Sequence, residues 1–433
     1  MLNHKFTLSN FVNLTVVFAF IGTSFLTFSV GPFHLFPFRV ALLILWILWF
    51  FKGIERLKLS TIKVKRSLNF LVLWFVYSVL SLTWAIDKVS ALKHIIFLFM
   101  NISVIFFIVY YLRDWPQIFK LLKLWMFIYV LLLPIGFWEV TTGNHLSNSG
   151  LLNVDEGYEY YKFAPTTVFG NQNDYATLIA LTIPMFYTSL RYTSVFFKRV
   201  FYIMICLLSV LMLTFTTSRA NYLGVFLGFS FWFIFLLRLK GKLRVVAVIS
   251  LILGLIAIRL TAENIEYLRM IWEDFSVVLG TQNEDAGVEV RTNLIKNGVY
   301  FMISSFGFGV GAGNIEYYMA NYPKYFVGDT TNVHNWWIEV LGNYGIWIFI
   351  AYMIYYISTI LKLWKIYRMP ITKSEKILCE ALLCGLVAFS ISSISSSSIM
   401  AFNPHWVYFG LTLAFINYSK IKYGRNTHIN SSI

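Results

Sequence analysis

Three side chains stand in settings that suit chemistry on a phosphorylated substrate: Arg219, Arg291 and His334. Arg219 lies in Phe215-Thr-Thr-Ser-Arg-Ala-Asn-Tyr-Leu223, a very short turn between two apolar segments, where Thr216, Thr217 and Ser218 can cap the helix that follows. An arginine at a helix start opposes the helix dipole, and the two together suit an anion such as phosphate. Snorkelling of the long side chain at an interface is the competing reading. His334 lies in Asn332-Val-His-Asn-Trp-Trp-Ile-Glu-Val-Leu-Gly-Asn-Tyr-Gly345, where a long polar stretch passes into an apolar one. A neutral imidazole there can accept a proton from a sugar hydroxyl. Trp336 and Trp337 beside it also fit the bland alternative, an interfacial histidine in an aromatic belt. As a continuous helix the segment returns after eleven residues to within about 20° of its start, so Gly345 falls on the histidine's face three turns deeper. Glu339, about 140° round that helix, is a poor helper for the imidazole.

Arg291, in Gly287-Val-Glu-Val-Arg-Thr-Asn-Leu-Ile-Lys296, opens a short helix with Lys296 on a neighbouring turn. A pair of arginines grips a pyrophosphate by bidentate, charge-assisted hydrogen bonds that lysine reproduces poorly. Taken singly, either cation on this helix reads as a solvated surface residue. The sequence holds no DxD, HExxH, P-loop or GxSxG, the usual signals of metal-dependent sugar transfer, metalloprotease, ATPase and α/β-hydrolase chemistry. The expectation is transfer chemistry with neither metal nor cofactor. Cys206, Cys379 and Cys384 all sit inside apolar segments and offer no disulfide framework.

The elements that must position these residues are membrane helices. The 433 residues are 58% hydrophobic and only 13% charged, where a soluble domain carries nearer a quarter of charged residues. Apolar stretches of about 20 residues, enough to cross a hydrocarbon core, recur at 11–30, 33–51, 68–85, 94–112, 119–140, 174–190, 199–217, 220–237, 244–260, 336–360, 377–397 and 402–418. The first, Phe11 to Val30, is too long for a signal-peptide core and is read as a retained span. Of the 35 Lys and Arg, 25 fall in alternate loops and their flanking turns. By the positive-inside tendency that side is cytoplasmic, with both termini in, so the net charge of +15 reflects topology and not nucleic acid.

The expected fold is an all-α integral membrane protein of about twelve spans, a single polytopic domain over residues 1–433. Its two long external loops are 141–173 and, between spans nine and ten, the large and partly helical 261–335. In the second, Ile265, Leu268, Trp272, Phe275 and Leu279 recur at helical spacing and predict an amphipathic helix on the outer surface. A second helix is expected from Arg291 to Ser304, broken by Gly307-Phe-Gly-Val-Gly-Ala-Gly313, which reads as a flexible turn. The run Ser390 to Ser398 reads as a small-residue packing face. Span centres are nearly free of ionisable side chains, Arg39 and Glu380 excepted, unlike the ion paths of pumps and transporters.

At three stretches the chain resembles the O-antigen ligase and Wzy-type polysaccharide polymerase superfamily of bacterial envelope glycosyltransferases. They are Phe169-Gly-Asn-Gln-Asn-Asp-Tyr-Ala176, Thr217-Ser-Arg-Ala-Asn-Tyr-Leu223 and His334 to Gly345, the last two fitting the RX3L and HX10G patterns of the ligase branch. The resemblance implies inverting, metal-independent transfer of glycan from an undecaprenyl-pyrophosphate donor at the outer face of the bacterial cytoplasmic membrane. Under it, His334 activates the acceptor hydroxyl, while Arg219 and Arg291 bind the donor pyrophosphate. Lys296, Asn335, Asn171, Asn173 and Asp174 are further substrate-binding candidates, with Asp174 equally placed to cap the sixth span. Partners so implied are the lipid-linked donor, a glycan acceptor, membrane lipid and other polysaccharide assembly proteins. The leading expectation is a polymerase joining repeat units into a capsular, teichuronic-type or O-antigen polysaccharide. A ligase moving finished glycan to lipid or protein is its nearest rival, and a flippase or exporter is the alternative from another class.

Overall fold

A computed structural model of the chain describes residues 8–21, 28–30, 33–52, 61–152, 162–237, 286–396 and 399–424. After α1 (Leu8–Ile21), two short strands, β1 (Phe28–Val30) and β2 (Phe33–Leu35), pair antiparallel with Phe28 opposite Leu35. The helices that follow are α2 (Pro37–Lys52), α3 (Lys65–Leu80), α4 (Lys88–Tyr111), α5 (Trp115–Thr142), α6 (Gln172–Tyr192), α7 (Phe196–Phe215) and α8 (Arg219–Phe231). Next come α9 (Ala286–Ser304), the short α10 (Ile315–Asn321), α11 (Trp336–Tyr367), α12 (Lys373–Ser392) and α13 (Asn403–Gly424). Eleven of the twelve predicted spans thus fall on helices, and the ninth, 244–260, lies outside the described residues. So does the amphipathic helix expected around Ile265 to Leu279. The first two spans, 11–30 and 33–51, were drawn too long, because Phe28–Val30 and Phe33–Leu35 are strands; hydropathy is blind to the Gly31-Pro32 turn signal between them.

Among the described residues, six helices are long and apolar enough to cross a membrane: α3, α4, α5, α7, α8 with its continuation to Leu236, and α11. Helices α6, α12 and α13 carry more polar side chains, and the packing explains why. Every residue of α6 from Tyr175 to Ser189 is buried, as is nearly all of α13, so these helices form the centre of the bundle and are shielded by the others. Large apolar side chains are left exposed on the periphery, Leu43 and Phe51 on α2 and Phe197 and Leu207 on α7 among them, which suits a lipid-facing ring.

Close helix contact at the centre depends on small residues. A Cβ on Gly224 of α8 would run into Ser392 Oγ and lie 2.7 Å from the Ala388 carbonyl oxygen of α12; one turn on, a Cβ on Gly228 would lie 2.8 Å from the Cys384 carbonyl oxygen. This Gly-x-x-x-Gly edge lets two backbones approach where lipid supplies no hydrophobic drive between helices. At the far end of the same pair, the fully buried Glu380 carboxylate accepts from Arg191 Nη1 at 2.6 Å, Tyr192 Oη at 2.6 Å and Trp232 Nε1 at 2.9 Å, tying α6, α8 and α12 together. A buried carboxylate is tolerated because it is paired and fully hydrogen-bonded.

The glycine run is a wedge and not a flexible turn. Val310 N donates to Gly342 O at 2.9 Å, Gly311 N to Asn343 O at 3.0 Å, and Ile346 N to Gly307 O at 2.9 Å. On the opposite side Trp84 Nε1 donates to Gly309 O at 3.0 Å and Ala312 N donates to Ser81 Oγ at 3.0 Å. The run is therefore clamped between the α3–α4 turn and α11. Accommodating it breaks α11 at Gly345, whose φ of 75° and ψ of −177° are non-helical and whose Cβ would collide with the Gly307 carbonyl. Only glycine adopts that backbone there without strain. Gly224→Val or Gly228→Val is expected to cost about 1–3 kcal/mol through overpacking, read as a lower melting temperature in detergent. Gly424→Val, at a position with open space around it, is expected to leave the melting temperature unchanged.

Candidate functional site

Three helix N-termini meet at one end of the bundle, around the turn Ser393–Ser396 that follows α12. The first is that of α11. Asn335 is its cap, accepting from Trp337 N at 3.1 Å and Ile338 N at 3.4 Å, and Trp336 N donates to Ser393 O at 3.0 Å. His334 therefore precedes the helix and does not share a helical face with Gly345, which marks the break eleven residues on. Its own backbone is left-handed, with φ of 47°, and its N–H donates to Asn332 Oδ1 at 2.9 Å. Glu339 faces away from it, 3.8 Å from His94 Nε2.

The second N-terminus is that of α8. Ser218 occupies the cap position without a side-chain cap hydrogen bond, contrary to the capping expected of it, because its hydroxyl is turned to Ser395 Oγ at 3.2 Å and accepts from Asn221 Nδ2 at 2.9 Å. Asn221 Nδ2 also reaches Ser395 Oγ at 2.9 Å. Arg219 follows as the first helical residue, half-buried, and no acidic residue lies in that first turn. The third N-terminus is that of α6, where Asn171 and not Asp174 is the cap, accepting from Asn173 N at 2.7 Å. Asp174 Oδ1 instead accepts from Ser396 Oγ. The segment leading into Asn171 is fixed by the fully buried Glu139, whose carboxylate accepts from Thr166 N at 2.8 Å and Thr167 N at 2.6 Å and lies 3.2 Å from His145 Nδ1.

Arg291 and Lys296 arrive from α9, which packs on α11. Arg291 is close enough to His334 for its charge to act on the imidazole. Lys296 is exposed and stands over the Tyr325 ring at 5.6 Å, beside Asn297, which holds the Lys324–Tyr325 main chain. Burial, first, and the Arg291 charge, second, lower the His334 pKa from its ordinary value, while a hydrogen bond with the Ser395 main chain pulls it up; the net shift is downward. The ring is accordingly neutral at pH 7 and available as a proton acceptor.

Ser395, Ser396 and Asn221 were not among the site candidates of the sequence reading, which took the serines as a packing face. The signal that could have found them was the serine run itself. Ser392 does pack against Gly224 as a small-residue face would, but the helix ends there, and the serines beyond it serve as hydrogen-bonding partners.

Geometry and composition together define a multi-pass membrane protein whose polar end gathers a neutral histidine, arginines and three helix N-termini. A sequence model of the Wzy_C family, described as O-antigen ligase, matches residues 204–353, a stretch containing Arg219, Arg291, His334 and Gly345. Over 414 residues, 94% of this chain and 83% of the relative, the sequence is 31% identical to the teichuronic acid biosynthesis protein TuaE of Bacillus subtilis (strain 168). The chain belongs to the O-antigen ligase and Wzy-type polysaccharide polymerase superfamily and is a membrane protein of polysaccharide biosynthesis.

Because a cationic neighbour disfavours the imidazolium, Arg291→Gln is expected to move the His334 titration upward toward the ordinary histidine range. The acidic limb of any activity needing neutral His334 then moves to higher pH. NMR titration of the labelled ring, with its signal assigned by loss in His334→Gln, measures this directly, and an unchanged or lower midpoint contradicts the pairing.

Proposed function

We propose that the protein is a glycan polymerase, joining lipid-linked oligosaccharide repeat units into a cell-surface polysaccharide at the outer face of the cytoplasmic membrane. The observation that carries this reading is the neutral His334 held beside Arg291 and the Ser395 turn, with the Arg219 helix start on the other side of that turn. A ring nitrogen of His334 takes the proton of the acceptor hydroxyl as its oxygen attacks the anomeric carbon of the donor sugar. The bond from that carbon to the pyrophosphate breaks with inversion, and undecaprenyl pyrophosphate leaves as the anion. Arg219, Arg291 and the α8 N-terminus stabilise the charge developing on it, and the imidazolium returns its proton to solvent. The reaction so written needs no metal.

Asn171, Asn173, Asp174, Asn335 and Lys296 are the further substrate-binding residues in this reading. Asn171 and Asn335 act by fixing helix starts, and Asp174 by holding Ser396. In this reading the chain is a single membrane domain of about twelve spans with cytoplasmic termini and outward loops at 141–173 and 261–335, an orientation supported by the distribution of Lys and Arg. The relative named for teichuronic acid biosynthesis supports a cell-surface polymer as product. The family description as O-antigen ligase favours one rival, transfer of finished glycan to a separate acceptor.

His334→Ala is expected to reduce transfer by roughly 10²–10⁴-fold, the usual worth of a positioned base, in protein that inserts and melts normally; glycan elongation at the wild-type rate would sink the assignment. Arg219→Lys keeps the charge but loses bidentate contact. It is expected to cost about ten- to a hundredfold, the loss of one charge-assisted hydrogen bond, read as turnover of a lipid-linked donor in purified protein. The size ladder of lipid-linked glycan in a deletion strain separates the two activities. Collapse to single repeat units is the polymerase outcome, whereas long unattached chains are the ligase outcome.

A further inference from the structure

At the end of α11 opposite His334, roughly 40 Å away along the helix by its rise per residue, the ends of α3, α11 and α13 enclose a cavity of about 430 Å³. Its walls are Ile62, Lys63, Val64, Lys65, Arg66, Ser67, Lys362 and Lys420. Five of those eight side chains are cationic and none is acidic. A second cavity of about 220 Å³ shares Lys362 and Lys420 and adds Lys365 and Ser419. Among the described residues none of these cations has a carboxylate partner; Lys362 Nζ, half-buried, has only the hydroxyls of Ser358 at 3.3 Å and Ser67 at 3.4 Å.

Elsewhere at this end, cations are neutralised: Arg191 by Glu380 at 2.6 Å and Lys422 by Glu375 at 2.8 Å. The contrast marks the cavity as a place where like charges are held together, a destabilising arrangement unless an anion sits between them. Two further observations point to a ligand. Ser419 Oγ, on a residue 1% exposed, lines the second cavity and is a buried hydroxyl with no hydrogen-bond partner, and the buried amide Nδ2 of Asn417 likewise has none, although its Oδ1 accepts from Lys63 N at 2.7 Å. Buried polar groups are almost always satisfied, so these donors are consistent with a site that is completed from outside the chain. The α3 N-terminus adds to the positive potential: Val64 at its cap has no side-chain hydrogen bond to give, and the first turn holds no acid.

We propose that this cleft binds a phosphate group, gripped by Lys362, Lys420, Lys63 and Arg66. Two sources carry that chemistry, the headgroup of an anionic phospholipid in the leaflet that meets these helix ends, and a free inorganic phosphate or pyrophosphate from the adjoining solution. The charge distribution makes that side cytoplasmic, so the site is separate from the outward one and its chemistry does not depend on the glycan reading.

The test uses the full-length protein and the Lys362→Gln/Lys420→Gln double variant, compared in phosphatidylcholine nanodiscs with and without phosphatidylglycerol, and with added inorganic phosphate. Each basic residue near an anionic surface contributes roughly fivefold in affinity, so loss of two predicts about thirtyfold weaker binding, read by native mass spectrometry and by melting temperature. Phosphatidylglycerol bound by the wild type and lost from the variant identifies a lipid headgroup. Stabilisation of the wild type alone by inorganic phosphate identifies a soluble ligand. Should the double variant fail to fold, Lys63→Gln/Arg66→Gln, at exposed positions, carries the same comparison. If a folded variant and the wild type respond alike to both probes, the proposal is overturned.

Discussion

The hydroxyl of Ser395 is the point on which the polar end of the molecule depends. A serine hydroxyl donates once and accepts twice, and here all three capacities are used: it donates to Ser392 O at 3.3 Å and accepts from Asn221 Nδ2 at 2.9 Å and Ser218 Oγ at 3.2 Å. Its main chain meets the His334 ring, and the next residue holds Asp174. The Ser393–Ser396 turn thereby relates the end of α12 to the starts of α6, α8 and α11. In surroundings of low dielectric such bonds are strong and a missing partner is costly, so the group has little freedom to rearrange. The candidate base, the Arg219 turn and the Asn171 segment inherit their spacing from it.

This hub can exist because the membrane solvent is excluded from it. Helices α6, α12 and α13 carry the hydroxyls, amides and carboxylates, and they are wrapped by α3, α4, α5, α7 and α11, whose apolar side chains face outward. A polar residue facing lipid would have to find its partners on its own helix. Inside the bundle it bonds to a neighbour, as Trp125 Nε1 does to Thr182 Oγ1 at 2.8 Å and Tyr129 Oη to Ser209 Oγ at 2.6 Å. The glycines of α8 bring α12 near enough for the Ser218, Asn221 and Ser395 contacts to form at their top. Packing at mid-depth and chemistry at the end are parts of one arrangement.

Hydropathy made the helices legible, since a stretch of about 20 apolar residues carries its own length requirement; even the polar interior helices keep enough apolar residues to be found at 174–190, 377–397 and 402–418. Arg219, Arg291 and His334 were picked out as site candidates through residue types and their order. Local dihedrals were not. Eleven residues from His334 to Gly345 fit an ideal helix in projection, but the histidine is left-handed and the glycine non-helical, because the Gly307–Gly313 run inserts its main chain there. That insertion joins residues some 35 positions apart, and no periodicity within either segment announces it. The serines were hidden for a related reason: a small polar residue reads the same whether it packs against glycine, as Ser392 does, or holds an amide, as Ser395 does.

The same dihedral detail bears on the two readings of Arg219. A snorkelling arginine needs only an interface, and the turn before it could then be capped in the ordinary way by Ser218. Instead Thr217 takes φ of 52°, Ser218 Oγ accepts from Asn221 Nδ2 and bonds Ser395 Oγ, and the first turn of α8 receives neither a side-chain cap nor an acidic residue. By comparison α6 has its Asn171 cap and Asp174, and α11 its Asn335 cap and Glu339. Of the three helix starts gathered at the serine turn, α8 alone places an arginine at its first position, with no acidic residue in its first turn. A helix start of this kind suits an anion, which is the demand a pyrophosphate leaving group would make in the proposed reaction.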